Sequence, residues 1–319
     1  MDYIDRMKEE FLGNIVGQNK AKQKLQIFAQ AFQSSGILDP LIFASAKGCG
    51  KTKIVREFRK ALKRPDNSTP KIIEINGATV KSHLDFFEQV WPVWQAERAF
   101  LFFDEAHNLP EKLLEIFLTL LEKDSDRHIR EVTINHKDVG PILYQMNITQ
   151  MHIAFGTTDH NAMPDALLDR LTEICLERYS DEQLMAIFLD RITVPIDEEV
   201  KPEVVKYFRG HPRDAVAKAD DLMKCVVAGK KQRIGIKEWK NYCYSMGVYP
   251  MGLNDAEVFI LKILEERNQV SLTGLSAATG YSTAVIRQRY EKSLLAKGLM
   301  DIKGTRFATR KGREYLKNL

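Results

Sequence analysis

The run SAKGCGKT, Ser45 to Thr52, lies between the apolar stretch LIFASA and the helical pattern KTKIVREFRKAL, and no other feature restricts the fold as strongly. A glycine-rich turn that joins a buried strand to a helix is the setting of a phosphate-binding loop. Gly48 and Gly50 let the backbone turn its N–H groups toward a triphosphate, and the following helix adds the positive end of its dipole. Lys51 reaches the outer phosphates and Thr52 offers a hydroxyl to magnesium. Cys49 and Lys53 fall in the same stretch and count among the expected nucleotide contacts. Ser45 stands where the strict pattern has glycine, so the plain alternative is an ordinary glycine-rich turn.

A second segment makes that alternative poor. FLFFDEAH, Phe100 to His107, is an apolar run ending in Asp104 and Glu105, which puts two carboxylates at the open end of a buried strand. Asp104 is expected to hold magnesium through water, and Glu105 to orient and polarise the attacking water. His107 reads as a structural or hydrogen-bonding neighbour rather than a catalyst. The two segments together point to nucleotide hydrolysis with Mg2+.

The rest of the N-terminal half has the rhythm of an α/β domain. LIFASA, KIIEING, AFLFFDE and MHIAFGTT are runs of buried-strand length separated by helical patterns, which implies a parallel sheet covered by helices. Near Tyr179 the pattern turns purely helical, and GVYPMG, Gly247 to Gly252, reads as a linker. These breaks predict a large nucleotide domain over 1–178, a helical lid over 179–247 and a third domain over 248–319. The charged N-terminus MDYIDRMKEEF lacks the apolar core of a signal sequence, and no apolar run reaches membrane-spanning length. Four cysteines with no CxxC pair argue against a disulfide framework or a structural zinc site. A cytoplasmic protein is expected.

Charge is uneven. From Val248 onward twelve Lys and Arg face seven Asp and Glu, so the last segment carries +5 of the chain's net +4 and the remainder is near −1. A neutral body with a basic end suits an anionic polymer, a solvated charged face being the plainer reading. The segment reads as three helices and a short hairpin, a winged helix. In SLTGLSAATGYSTAVIRQRYE, Gly280 lies in the turn, Ser282 caps the next helix, and Arg287 and Arg289 project from it. MDIKGTRFAT forms the wing, with Gly304 at the tip between Lys303 and Arg306.

Taken in order, these motifs resemble the RuvB family of AAA+ motors, which drive branch migration of Holliday junctions. IVGQNKAKQKL resembles the family's entry motif, so Ile15 and Val16 are expected to border the adenine, and LFFDEAHNL resembles its Walker B segment. FGTTDHNAMPDALLDRL is similar to the stretch that carries the polar sensor and the arginine finger: Thr157 or Thr158 is then the sensor, and Arg170 reaches a neighbouring subunit's site. Tyr179 takes the position beside the adenine and Arg213 that of the second sensor. The resemblance implies a homo-hexameric ring, a RuvA-like partner, a junction resolvase, and sequence-independent contact with branched DNA through Lys303 and Arg306. The segment from Asp126 to Gln150 is long enough for the family's partner-binding hairpin, with Ile134 or nearby apolar residues at its tip. Departures are plain: SAKG replaces GPPG, Asp159 an arginine after the Thr pair, and Leu168 the first arginine before the finger. A helicase or clamp loader that switches protein–DNA assembly remains the alternative, as does a non-hydrolysing, nucleotide-gated DNA-binding regulator.

Overall fold

The computed structural model describes residues 11–122, 128–147 and 150–319; the charged N-terminus and parts of the Asp126–Gln150 segment lie outside the described residues. The chain divides after Tyr179 into two compact units.

The first unit is built on a five-stranded parallel sheet in the order β2-β3-β6-β1-β7, with β1 Leu41–Ala44, β2 Ile72–Asn76, β3 Phe100–Asp104, β6 His152–Thr157 and β7 Thr172–Cys175. The apolar run in β3 is completely buried because both faces are covered: Leu101 and Phe103 pack with Phe86, Trp94 and Phe117, whereas Phe100 and Phe102 pack with Phe32 and Phe58. Each such side chain contributes roughly 1.5–3 kcal/mol of burial. The fifth strand, β7, was not foreseen, since its alternating exposure gives no continuous apolar run. An antiparallel hairpin, β4 Ile129–His136 and β5 Gly140–Asn147, joins the unit. Ile134 is not at its tip: it is 4% exposed and packs inward, while Val139 in the turn is 74% exposed. Strand alternation sends Ile134 to the face that meets the domain core, and the outer face carries Ile129 and Leu143.

His152 opens β6 and is packed edge-on against Phe32, ring centroids 4.9 Å apart, with no hydrogen-bond partner for Nδ1. Burial, aided by the Arg64 charge, pulls its pKa down from 6.5 to about 4. In the folded chain the ring stays neutral while the unfolded chain protonates first, so stability is intact above pH 6.5 and is lost as pH falls toward 4. The full loss is about 3 kcal/mol. Urea unfolding at pH 7 and pH 4.5 should show a larger drop for the native chain than for His152→Leu; equal drops would remove His152 from the acid response.

The second unit begins with helices Asp181–Leu189, Val200–Val205, Pro212–Ala228 and Ile236–Ser245. Ser180 caps the first in a reciprocal box with Gln183, and Phe188, Tyr207, Trp239 and Tyr242 fill the interior. GVYPMG is no loose linker. It forms the strands β8 Val248–Tyr249 and β9 Leu253–Asn254 around a 3-10 turn, and Met251 N donates to Lys206 O at 2.6 Å. Gly247, Met251 and Gly252 all take positive φ, which allows the chain to reverse there.

The same unit closes with helices Asp255–Arg267 and Leu272–Thr279, a helical stretch over 283–296 that is π-helical at Ile286–Glu291, and the wing hairpin β10 Met300–Lys303 and β11 Thr305–Ala308. Gly280 ends its helix at φ 73° and Gly304 turns the wing at φ 71°. Three helices were expected before and around the wing; a fourth, Arg310–Lys317, capped by Thr309, follows it. Among the described residues no helix is long and apolar enough to cross a membrane.

Candidate functional site

Gly48 and Gly50 sit at φ 86° and 89°, a backbone only glycine adopts without strain, and this lets the loop wrap tightly after β1. Gly50 N-caps helix Lys51–Ala61 without a side-chain cap, so the first-turn N–H groups face the loop unassisted. Lys51 is 5% exposed, its Nζ 3.3 Å from Ser45 O, folded over the loop it serves. Cys49 is buried, and burial pushes its thiol pKa up against the pull of Lys51. Lys53 points to solvent.

The acids of β3 arrive beside this loop because β3 and β1 flank β6 in the sheet. Thr52 Oγ1 donates to Asp104 Oδ2 at 2.7 Å, and Glu105 N donates to Asp104 Oδ1 at 3.0 Å. One hydroxyl and one carboxylate next to a phosphate-shaped turn are the few hard oxygen donors that suit a largely hydrated magnesium ion. Glu105 takes a left-handed backbone, φ 51°, and its carbonyl lies so near Gly77 that a Cβ there would come within 2.6 Å of it. A side chain at residue 77 would push the Glu105 turn away from the loop.

The Thr pair separates at the end of β6, where Thr157 is the last strand residue and Thr158 lies just beyond it. Thr157 is 1% exposed and its hydroxyl is engaged on all sides, donating to Asp159 O at 2.9 Å, accepting from Asp159 N at 3.1 Å and lying 3.0 Å from His107 Nδ1. Thr158 Oγ1 instead donates to Glu105 Oε2 at 2.6 Å. His107 sits between them, 3.6 Å from Glu105 Oε2, with Nε2 3.1 Å from Asn108 Nδ2.

Tyr179 turns its hydroxyl toward Gly50, 3.6 Å from where a Cβ would stand, and burial raises its pKa. Ile15 is buried and Val16 half-buried. Gln18, which sequence reasoning missed, ties these two segments together. It is 3% exposed, donates from Nε2 to Glu177 O at 2.9 Å and accepts from Glu177 N at 2.9 Å. Its position directly after the IVG motif was the available signal.

Arg170 follows the short helix Asp165–Leu168, donates from Nη1 to Ala166 O, and leaves Nε buried with no partner. It lines a cleft of about 370 Å³ with Leu38, Met146 and Met151, and no phosphate-loop residue contributes to that cleft. Arg213 belongs to the second unit, exposed on the first turn of helix Pro212–Ala228, which His211 caps.

At the C-terminal end Arg287, Arg289 and Lys303 are exposed, and Arg289 lies 5.7 Å from the Tyr290 ring centre. Arg306 does not point outward as expected. It is 8% exposed and its Nε donates to Glu291 Oε1 at 2.6 Å, while its backbone bridges to Val270. Alternation along β11 sends residue 306 toward the helical stretch and away from solvent.

With this geometry in place, similarity to known proteins is extensive. Residues 250–317 match the family RuvB C-terminal winged helix domain. The Holliday junction branch migration complex subunit RuvB of Nitratiruptor sp. is 25% identical over 313 residues, covering 95% of this chain and 89% of that protein. The RuvB subunit of Mycoplasmopsis pulmonis is 24% identical, with 96% of each covered. Among solved structures, the Thermotoga maritima RuvB Holliday junction branch migration motor aligns over 98% of both chains with a TM-score of 0.71 at 22% identity. In the signature of its last domain, in sequence along nearly its whole length and in fold, this chain is similar to the RuvB proteins.

Proposed function

We propose that the chain is an ATP-driven DNA motor that moves Holliday junctions or related branched DNA in recombination and repair. The observation that carries this reading is the joined pair of contacts Thr52 to Asp104 at 2.7 Å and Thr158 to Glu105 at 2.6 Å, in a chain whose other end matches the RuvB winged helix. In this reading residues 1–178 bind and hydrolyse ATP, 179–247 form the lid, and 248–319 grip DNA. Lys51 and the loop N–H groups hold the phosphates, and Thr52 and Asp104 hold magnesium. Bound magnesium neutralises phosphate charge. Glu105 orients the attacking water and takes its proton, with Thr158 holding the carboxylate in place. Arg213, exposed at its helix start, is the lid's phosphate contact.

Arg170 lines a cleft with no phosphate-loop residue, which supports a role in a neighbour's site and hence a ring, a homo-hexamer by analogy with the relatives. The outer face of the β4–β5 hairpin, with exposed Ile129, Val139 and Leu143, is the docking surface proposed for a RuvA-like partner. A junction resolvase and the cytoplasm complete the proposed setting. Arg287, Arg289 and Lys303 supply phosphate contacts that position a duplex without selecting sequence.

The test is ATP hydrolysis with no DNA, with linear duplex and with a synthetic four-way junction, strand separation being followed in the same tube. Junction-stimulated hydrolysis with separation is expected. Hydrolysis indifferent to DNA would favour a loader-type switch, and tight ATP binding with no phosphate release would favour a non-hydrolysing regulator.

A further inference from the structure

The stretch that joins the lid to the winged helix is fastened to both. Met251 N donates to Lys206 O at 2.6 Å, and Tyr315 Oη, from the last helix, donates to Pro250 O at 2.9 Å. A Cβ on Gly252 would collide with Arg209 Cγ and Tyr207 O, so the turn is pressed directly onto the lid.

At the centre lies a chain of charges. Glu257, in the first turn of helix Asp255–Arg267, is 1% exposed. Its Oε2 accepts from Asn254 N at 2.9 Å and from Arg209 Nη2 at 2.7 Å. Arg209 also donates from Nε to Gly252 O, and its backbone N donates to Asp214 Oδ2 at 2.9 Å. Asp214 in turn accepts from the buried Lys218 on the same helix, the helix whose first turn carries Arg213. Lys297 adds a second positive charge near Glu257, and burial pulls its pKa down. An acid this deeply buried is costly without its partner, so the arrangement holds only while lid and winged helix keep one relative position.

We infer that Arg209 and Glu257 are positioning residues that weld the lid to the winged helix into one rigid arm, so that movement at the Arg213 end is delivered whole to the DNA-binding end. The arm is a statement about structure; its use in coupling rests on the motor reading above. Neither residue belongs to the nucleotide site or to the proposed DNA contacts. Their loss therefore separates transmission from both.

The experiment uses the full chain with Cys175 and Cys225 replaced by serine and nitroxides on Tyr244→Cys in the lid and Asn318→Cys at the far end; Tyr244 is 91% exposed. The native pair should give a single narrow distance distribution, unchanged by nucleotide or by DNA. In Arg209→Met/Glu257→Gln the glutamine keeps the Asn254 cap, both members of the pair lose their charge together, and Lys297 keeps its Ser293 hydrogen bond, so folding is preserved. That variant should broaden the distribution, keep ATP hydrolysis without DNA and duplex affinity near native, and lose at least about fivefold of its DNA stimulation. Single variants complete the cycle and should each lose most of that stimulation. A broad distribution in the native protein overturns the rigid arm. A narrow distribution with full stimulation in the double variant overturns the role of the pair. A native protein with a narrow distribution but no DNA-stimulated hydrolysis keeps the arm and removes the motor reading.

Discussion

Replacing Glu105 by glutamine should stop ATP hydrolysis while leaving ATP binding in place. Glutamine has the size of glutamate and still accepts the Thr158 hydroxyl, so the loop geometry around Lys51, Thr52 and Asp104 is expected to survive. What it lacks is the capacity to take a proton from water. General-base catalysis is worth roughly 10²- to 10⁴-fold, and the single-turnover rate should fall by that much. Nucleotide affinity, measured by fluorescent-analogue binding, should stay near native because the loop and Lys51, the proposed phosphate contacts, are untouched. A variant that keeps most of its turnover would sink the assignment and move attention to another base. A variant that loses binding as well would mean that Glu105 supports the loop, as its strained backbone against Gly77 permits, rather than acting on water.

Arg306→Ala should destabilise the winged helix instead of merely weakening DNA binding. The substitution leaves Glu291, 5% exposed, as a buried carboxylate with its partner gone. Removing one member of a buried pair costs about 3–5 kcal/mol, a large share of a domain's total stability. Thermal unfolding followed through the C-terminal domain should therefore shift strongly downward, and Arg306→Met/Glu291→Leu should recover most of the loss. Lys303→Ala, at an exposed wing position, should leave unfolding unchanged and lower the salt slope of DNA binding by about one charge. If Arg306→Ala unfolded like the native chain and bound DNA less well, the buried pair would be unimportant and the outward reading of Arg306 would return.

The contrast between these two residues marks how much of the protein is legible without coordinates. The phosphate loop and the β3 acids are local features: strand, turn and helix lie within a few residues of one another, and their chemistry follows from residue type and order. The parallel sheet is legible for a related reason, since strands covered on both faces must be apolar throughout, as Phe100–Phe103 are. β7, with alternating exposure, offers no such run and escaped.

What depended on tertiary structure was the direction of side chains and the choice of distant partners. Thr157 ends β6 and Thr158 lies just beyond it, so the two are equivalent in sequence until packing buries one and turns the other to Glu105. Strand alternation, in which neighbouring residues face opposite ways, decided Arg306, expected at the surface, and Ile134, one of the apolar residues expected at the hairpin tip; both are inside. GVYPMG has a linker's composition, and only Lys206, Arg209 and Tyr315, brought from far along the chain, make it a joint. Gln18 clamps Glu177 across 159 positions. By itself the sequence determined the motifs from which the chemistry is proposed and the order of its elements, because both depend on short-range pattern. Which face each residue shows and what it meets were decided by the fold, because those depend on pairings that no local pattern records.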